Sequence, residues 1–140
     1  MIKNYGGWYW FISDIIKIPE ASKSGKWMYF FADQKYAKKM CKKAIEENIC
    51  IICKCTNMEE TGFPTGVVCF YCDYDDIEAH KRILKFMIDE DLIRKTKKGN
   101  LYNISYKFDE QTRNGEYGDN FQGELKLSHF VDLKTGNFII

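Results

Sequence analysis

Histidine and proline are scarce in this sequence, with two of each among 140 residues. A mechanism that needs a histidine base or metal ligand must therefore use His80 or His129. Neither histidine has a second metal-ligand residue at helical spacing, and no carboxylate is spaced to orient His129. The sequence specifies no reaction, so no catalytic residue is predicted and a non-enzymatic protein is favoured.

Long apolar runs and a secretion signal are also lacking. The first twenty residues carry Lys3 as their early positive charge, Asp14 interrupts their apolar run, and no small-residue cleavage site follows. No stretch approaches the roughly 18 uninterrupted apolar residues that a spanning helix needs. These features predict a cytoplasmic protein with no membrane contact, whose six cysteines are reduced thiols.

An excess of one charge is lacking as well, because 21 basic residues face 20 acidic residues and the net charge is +1. The overall field therefore gives no reason to expect wholesale binding of nucleic acid, and an anionic partner must meet a local patch. Glycine-rich phosphate loops of the GxGxxG and GxxxxGK[ST] types are missing. No cofactor is predicted.

Aromatic residues are abundant, at 16% of the chain, and many fall in strand-like runs at residues 5–12 and 25–31. Asp33 is placed to cap a helix whose apolar positions run from Tyr36 to Ile45, and Asn48 is expected to end it. Asp75 and Glu78 resemble a capping box that opens a second helix with apolar positions from Ile77 to Ile88. Further strands are predicted at residues 49–56, 67–74, 101–108 and 125–130, and the last one returns as a hairpin after a turn at Asn114 and Gly115.

This order of elements, ββαββαββ, predicts one α+β domain over residues 1–140. The sheet is expected to be antiparallel with about two helices packed on one face, because the connections in the second half have hairpin length. The strand at residues 67–74 begins with apolar residues on both faces and is therefore expected to be central.

Two cysteine pairs have spacings that fit a zinc site. Cys50 and Cys53 form one CxxC pair, and Cys69 and Cys72 form the other, at a separation within the range for four thiolate ligands. Neither pair has a glycine to form a knuckle, and residues three apart in a strand point to opposite faces. Buried core thiols are the alternative, and they are favoured.

Two segments together resemble a known family. The sequence VVCFYCDYDDIEAHKRILKFMIDEDLI, followed by ISYKFDEQTRNGEYGDN, is similar to the basophilic-leukaemia-expressed protein family, a domain of unknown function also labelled a phosphothreonine-lyase domain. The motif Gly25-Lys26-Trp27 and the strand end Lys54-Cys55-Thr56 fit the same pattern. The resemblance implies a curled antiparallel sheet backed by helices, similar to the fold of the cap-binding translation initiation factor.

The resemblance also implies a candidate pocket. Tyr106, Lys107 and Asp109, followed by Thr112, Gly115 and Tyr117, match the family pattern, although Phe108 stands where proline is expected. If the strand ends and the hairpin meet at one rim of the sheet, their polar side chains converge there. The predicted ligand-binding residues are Lys26, Trp27, Lys54, Thr56, Lys107, Asp109, Arg113 and Tyr117.

Three functions follow from these residues. The leading hypothesis is a binding module for a phosphorylated ligand, such as a nucleotide or an RNA end, with the Lys and Arg residues neutralising charge and Trp27 and Tyr117 stacking. The first alternative is a protein-interaction module, such as a phage-type inhibitor of a host defence nuclease. The second is a phosphothreonine-lyase-like enzyme. A structural alternative is that Trp27 belongs to the core and the lysines extend to water.

Overall fold

The computed structural model of the chain describes residues 2–14, 23–109 and 125–140. Within these ranges the strands are β1 (Ile2–Tyr5), β2 (Trp8–Ile12), β3 (Ser24–Phe31), β4 (Ile52–Thr56), β5 (Gly66–Asp73) and β6 (Lys107–Phe108). The helices are α1 (Gln34–Glu46), α2 (Met58–Thr61) and α3 (Ile77–Asp89), followed by a 3₁₀ helix at Leu127–His129. The predicted α+β class is confirmed.

The strands form one six-stranded sheet in the order β1-β2-β4-β5-β3-β6. Each neighbouring pair is antiparallel, and the longest pairing joins β3 and β5, from Ser24 opposite Asp73 to Phe31 opposite Gly66. Strand β5 lies between β4 and β3, so the prediction that it is central is confirmed. Strand β5 pairs with β4 on one side and with β3 on the other, so β3 and β4 are not neighbours although they follow each other in the chain.

The first predicted strand, at residues 5–12, is instead a hairpin. Gly6 and Gly7 have φ values of 62° and 81° and form a two-residue turn between β1 and β2. Two consecutive residues with positive φ favour the type I′ turn that joins antiparallel strands, and glycine adopts this conformation without steric cost. The aromatic run therefore belongs to β2, while β1 is an additional edge strand.

Both long helices begin at aspartate caps. The Asp33 side chain accepts a hydrogen bond from the Tyr36 backbone N–H at 3.1 Å, which confirms the predicted cap of α1. Asn48 follows the end of that helix, as predicted, and its φ of 56° shows that it does so in a left-handed conformation. Helix α3 is capped by Asp76 rather than by Asp75, and the Asp76 carboxylate accepts from the Ala79 N–H at 3.1 Å.

Helices α1 and α3 cover one face of the sheet, here called the helix face. Successive residues of a strand point to opposite faces, and residues directly opposite each other share a face. Phe70 lies opposite Trp27 on one side and opposite Cys53 on the other, so all three are on the helix face. The Cys53 thiol lies 3.5 Å from the Cys41 carbonyl oxygen on α1. The rings of Phe70 on β5 and Phe86 on α3 are 5.8 Å apart. The buried hydrophobic residues of these elements form the core.

The C-terminal third differs from the prediction of two long strands. Residues 101–108 contain the two-residue strand β6 and isolated bridges at Leu101 and Ser105. The predicted strand at 125–130 is instead the 3₁₀ helix. Leu127, Phe130 and Val131 are all buried, at the spacing of three and four that one turn of helix brings to the same side. That spacing, rather than alternation, decides the local structure.

No helix in the described parts of the chain combines the length and the apolar character that a membrane span requires.

Candidate functional site

The face of the sheet opposite the helices carries a group of lysine and aromatic side chains. We call it the lysine face and define it by Trp8 and Trp10 on β2, Lys54 on β4, Tyr71 on β5, Lys26 on β3 and Lys107 on β6. The strand register places these residues side by side, with Lys54 opposite Trp10 and with Lys26 opposite both Tyr71 and Lys107. Five of the six strands therefore contribute to one surface.

Lys54 lies at the centre of an aromatic cluster. Its Nζ atom is 3.8 Å from the centroid of the Trp8 ring, 4.7 Å from that of Trp10 and 5.9 Å from that of Tyr71. The Trp10 and Tyr71 rings are 6.4 Å apart and 18° from parallel. The faces of aromatic rings carry negative charge, so they stabilise an ammonium group held at these distances.

Lys26 and Lys107 are directly opposite each other on β3 and β6, and both are almost completely buried, at 5% and 2% exposure. The Lys26 Nζ atom forms an ion pair with the Asp109 carboxylate at 2.9 Å. It also lies 5.7 Å from the Tyr71 ring, over which Lys54 is positioned too. The structure thus places two ammonium groups, those of Lys26 and Lys54, over the Tyr71 ring, and Lys107 lies opposite Lys26 on the neighbouring strand.

Burial shapes the electrostatics of this cluster. Removal from water lowers the pKa of Lys54, and the neighbouring charge of Lys26 acts in the same direction. Burial raises the pKa of the Tyr71 hydroxyl, and it raises the pKa of the Cys69 thiol, which lies opposite Lys54, to about 11. Tyr71 and Cys69 are therefore neutral at pH 7 and give the lysines no counter-charge.

Trp27 lies on the other side of the sheet. Its side chain is fully buried on the helix face, and its Nε1 atom donates a hydrogen bond to His80 Nδ1 at 2.9 Å. The His80 Nε2 atom in turn donates to the Tyr74 carbonyl oxygen at 2.7 Å, which makes His80 neutral with its proton on Nε2. Trp27 therefore belongs to the core, and the structure does not bring its ring to the predicted lysines.

The remaining predicted ligand-binding residues divide into two groups. Thr56 lies beside Trp8 on the lysine face, but it is buried and its hydroxyl oxygen accepts from the Val67 N–H at 3.0 Å. Its polar atom therefore holds β4 to the start of β5. Arg113 and Tyr117 lie outside the described residues, as does the predicted turn at Asn114 and Gly115.

The four cysteines of the zinc alternative do not face a common point. Cys53 lies on the helix face, whereas Cys69, opposite Lys54, lies on the lysine face. Cys72 is opposite Gly25 on the helix face, and Cys50 precedes β4. All four are buried free thiols. Among the described residues, no group of three or more His, Cys, Asp or Glu side chains is arranged to hold a metal ion.

Three aromatic residues of the lysine face, Trp8, Trp10 and Tyr71, were not among the predicted site residues. The alternation Trp8-x-Trp10 indicates that these two rings share a face of a strand. The register that brings them against Lys54 involves residues more than forty positions apart in the chain. No local pattern contains that information.

Comparison of the sequence with protein-family models and with curated proteins finds no match. The arrangement of the lysine face is therefore the basis on which a function is proposed.

Proposed function

We propose that this chain is a small binding module that recognises a phosphorylated ligand, such as a nucleotide or an RNA end, on the lysine face. Lys54, which is partly exposed, contacts the phosphate, and the buried Lys26 and Lys107 add positive charge beneath it. The rings of Trp8 and Trp10 take the stacking role that was first assigned to Trp27. Asp109 holds the Lys26 ammonium in position through its ion pair.

The observation that carries this proposal is the direct juxtaposition of Lys26 and Lys107. Like charges directly opposite each other on neighbouring strands destabilise a sheet, and burial increases their repulsion because water screens them less. Lys54 adds a third cation over the same Tyr71 ring. The Asp109 carboxylate offsets part of this repulsion at Lys26. A phosphate bound at Lys54 would add a second negative charge close to the group, since phosphate forms strong charge-assisted hydrogen bonds with lysine.

The rings next to these cations suit the planar part of a nucleotide. Trp8 and Trp10 are partly exposed, and base stacking on an aromatic ring contributes about 1–3 kcal/mol per base. A ligand with a base close to a phosphate would contact both kinds of group at once. Stacking on a ring does not distinguish one base from another. We therefore expect the protein to prefer phosphorylated ligands but to discriminate little between base sequences.

Tryptophan fluorescence titration tests the proposal, because two of the three tryptophans lie on the lysine face. The ligands are AMP, ATP and a 5′-phosphorylated oligoribonucleotide, each compared with its unphosphorylated counterpart. We expect the phosphorylated form to bind at least about tenfold more tightly. In Lys54→Met this preference should fall by about tenfold, because the ammonium is lost while the length of the side chain is kept.

The matched control is Lys85→Met, which removes an equal charge from the exposed side of α3, where Lys85 pairs with Asp89 at 2.7 Å. It should bind like the wild type. Equal affinity for phosphorylated and unphosphorylated ligands, or equal losses in the two variants, would contradict the proposal. A native mass spectrum of the purified protein adds a second test, since a retained nucleotide would appear as excess mass.

The lyase alternative has less support from these contacts. Such chemistry requires a histidine acid near the phosphate, whereas His80 is buried and bound between Trp27 and Tyr74 on the helix face. His129 is exposed, and its Nδ1 atom accepts from the Lys126 N–H at 2.9 Å. Turnover of a phosphothreonine peptide by the purified protein would restore this alternative. The protein-interaction module stays a prediction that a pull-down experiment tests.

A further inference from the structure

Strand β1 forms one edge of the sheet and, among the described residues, pairs with β2 alone. All four of its residues are exposed, including Ile2 at 56% and Tyr5 at 76%. An exposed edge strand offers backbone N–H and C=O groups to another strand. The surface therefore combines unpaired ladder positions with apolar side chains.

The hairpin decides which backbone groups of β1 point outward. In a two-residue hairpin the pair beside the turn, here Tyr5 and Trp8, exchanges both backbone hydrogen bonds, and bonded and non-bonded pairs then alternate. Lys3 consequently bonds to Trp10 on β2. The N–H and C=O groups of Ile2 and Asn4 point away from the sheet.

We infer that β1 is the contact through which two copies of this chain associate, by antiparallel pairing of β1 with β1 about a twofold axis at Asn4. A twofold axis perpendicular to the sheet keeps each face on its own side, so residues that lie opposite each other must share a face. The axis must therefore pass through a residue, either Lys3 or Asn4. These two registers differ by two residues in the position of the second copy.

Backbone bonding and charge favour different registers. An axis at Lys3 would pair Ile2 with Asn4 twice and form four backbone hydrogen bonds, whereas an axis at Asn4 forms two, so our choice of the Asn4 register rests on charge. An axis at Lys3 places the two Lys3 side chains directly opposite each other, in the closely spaced non-bonded arrangement, where like charges repel. An axis at Asn4 pairs the outward N–H and C=O groups of the two Asn4 residues. It also places each Lys3 opposite Tyr5 of the second copy, where the ammonium contacts a ring face.

Lysine on an edge strand normally discourages pairing, but in this register it specifies the partner. Both contacts occur twice because of the symmetry. The two sheets become continuous, and the two lysine faces lie on the same side of the combined sheet. This inference does not depend on the proposed function, since it rests on the backbone and side chains of β1 alone.

Sedimentation velocity over a concentration series up to about 1 mM tests the contact. We expect the wild type to shift from monomer to dimer. Asn4→Pro removes the outward N–H but leaves the hydrogen bonds from Lys3 and Tyr5 to β2 intact. It should weaken the dimer at least about tenfold. The matched control is Asn4→Ala, which keeps the N–H and loses the same 3.1 Å contact with the Asn57 side chain.

A second pair of variants tests the register without altering the backbone. Tyr5→Glu places a carboxylate opposite Lys3 of the second copy and should tighten the dimer several-fold, whereas Tyr5→Lys should weaken it. Circular dichroism checks that every variant is folded. A wild type that stays monomeric throughout the series overturns the inference. So do equal effects of Asn4→Pro and Asn4→Ala, or shifts in the same direction for the two Tyr5 variants.

Discussion

On the helix face, the buried polar groups of Trp27 and His80 are neutral and form one donor–acceptor pair at 2.9 Å. On the lysine face, Lys26 and Lys107 are buried to a similar degree, but they carry the same charge and lie directly opposite each other. The same strand, β3, contributes Lys26 to one face and Trp27 to the other. Two adjacent residues thus belong to environments of opposite character.

The contrast distinguishes a buried neutral pair from a buried group of like charges. A neutral donor matched to a neutral acceptor satisfies both groups when water is excluded. Buried like charges oppose folding, and apolar residues of similar volume often stabilise such positions. On the lysine face, the Asp109 carboxylate compensates Lys26 and the rings of Trp8 and Trp10 stabilise Lys54. Under the proposed function, an anionic ligand would add a further favourable interaction with these ammonium groups.

The largest effect is expected when the helix face is broken at Trp27. Trp27→Ala removes a fully buried ring that contacts His80, Tyr106 and Phe130 at centroid distances of 5.7–6.1 Å. It also leaves His80 Nδ1 without its donor. We expect a loss of about 3–5 kcal/mol in the free energy of unfolding, measured by urea denaturation.

The comparison variant is Trp8→Ala on the lysine face, which should cost about 1–2 kcal/mol because the ring is partly exposed and its main polar contact is with Lys54. Equal losses of stability in the two variants would contradict the division of roles between the faces.

Much of this fold could be predicted from local sequence signals. The Asp33 cap, the end of α1 at Asn48 and the central position of β5 all follow from patterns within a few residues, and each is confirmed. The strand predicted at 125–130 rests on the expectation that the chain returns as a hairpin after the turn at Asn114 and Gly115. The spacing of the buried Leu127, Phe130 and Val131 by three and four residues is a local signal for a helical turn, and the hairpin interpretation did not use it.

The candidate site could be predicted only in part. Alternation in a strand already requires that Lys26 and Trp27 point to opposite faces, so both could not line one pocket. The pairing of β3 with β5 and the position of α3 determine which of these two side chains points toward the core. The cluster of Trp10 and Lys54 likewise depends on the pairing of β2 with β4, which the sequence does not encode locally.

A second large effect is expected at Gly25, which lies near the start of β3 and opposite Phe108 on β6. A Cβ atom there would lie 2.5 Å from the Tyr106 ring and 2.6 Å from the Lys107 carbonyl oxygen. The β6 backbone cannot yield without losing its pairing with β3. Gly25→Ala should therefore cost about 1–3 kcal/mol in the free energy of unfolding.

That substitution also sharpens the functional comparison, because separation of β6 from β3 would move Lys107 away from Lys26. Hydrogen exchange of the Lys107 and Phe108 amides should increase, and phosphate affinity should fall with it. Unchanged exchange at these amides, together with wild-type stability, would show that the close approach is not required.

The helix face should also respond to pH through His80. Burial lowers the pKa of His80 below its ordinary value of 6.5, although the Tyr74 carbonyl and the nearby Asp76 and Asp75 oppose the shift in part. The unfolded chain therefore binds this proton more readily than the folded chain. The stabilisation by neutral His80 is complete above about pH 6.5 and is lost progressively as the pH falls toward the folded-state pKa.

Urea denaturation from about pH 7.5 down to about pH 5 measures this slope. His80→Gln should flatten it, since glutamine can accept from Trp27 without titrating. The control, His129→Gln, removes the exposed histidine of the 3₁₀ helix and should keep the wild-type slope. If the slope survives in His80→Gln and disappears in His129→Gln, then His80 is not the group that titrates.

The smallest effect on the fold is expected at Lys54. Lys54→Met removes a cation whose burial is unfavourable and whose neighbour Lys26 repels it, while the methionine side chain still packs against Trp8 and Trp10. Stability in chloride should change by no more than about 1 kcal/mol in either direction.

Phosphate at the same ionic strength should stabilise the wild type further, by about 1.4 kcal/mol at ten times the dissociation constant. Lys54→Met should lose most of that gain, whereas Lys85→Met should retain it and so account for the general effect of phosphate on folded proteins. Equal gains in both variants would mean that phosphate acts on the whole surface and that the lysine face binds no anion.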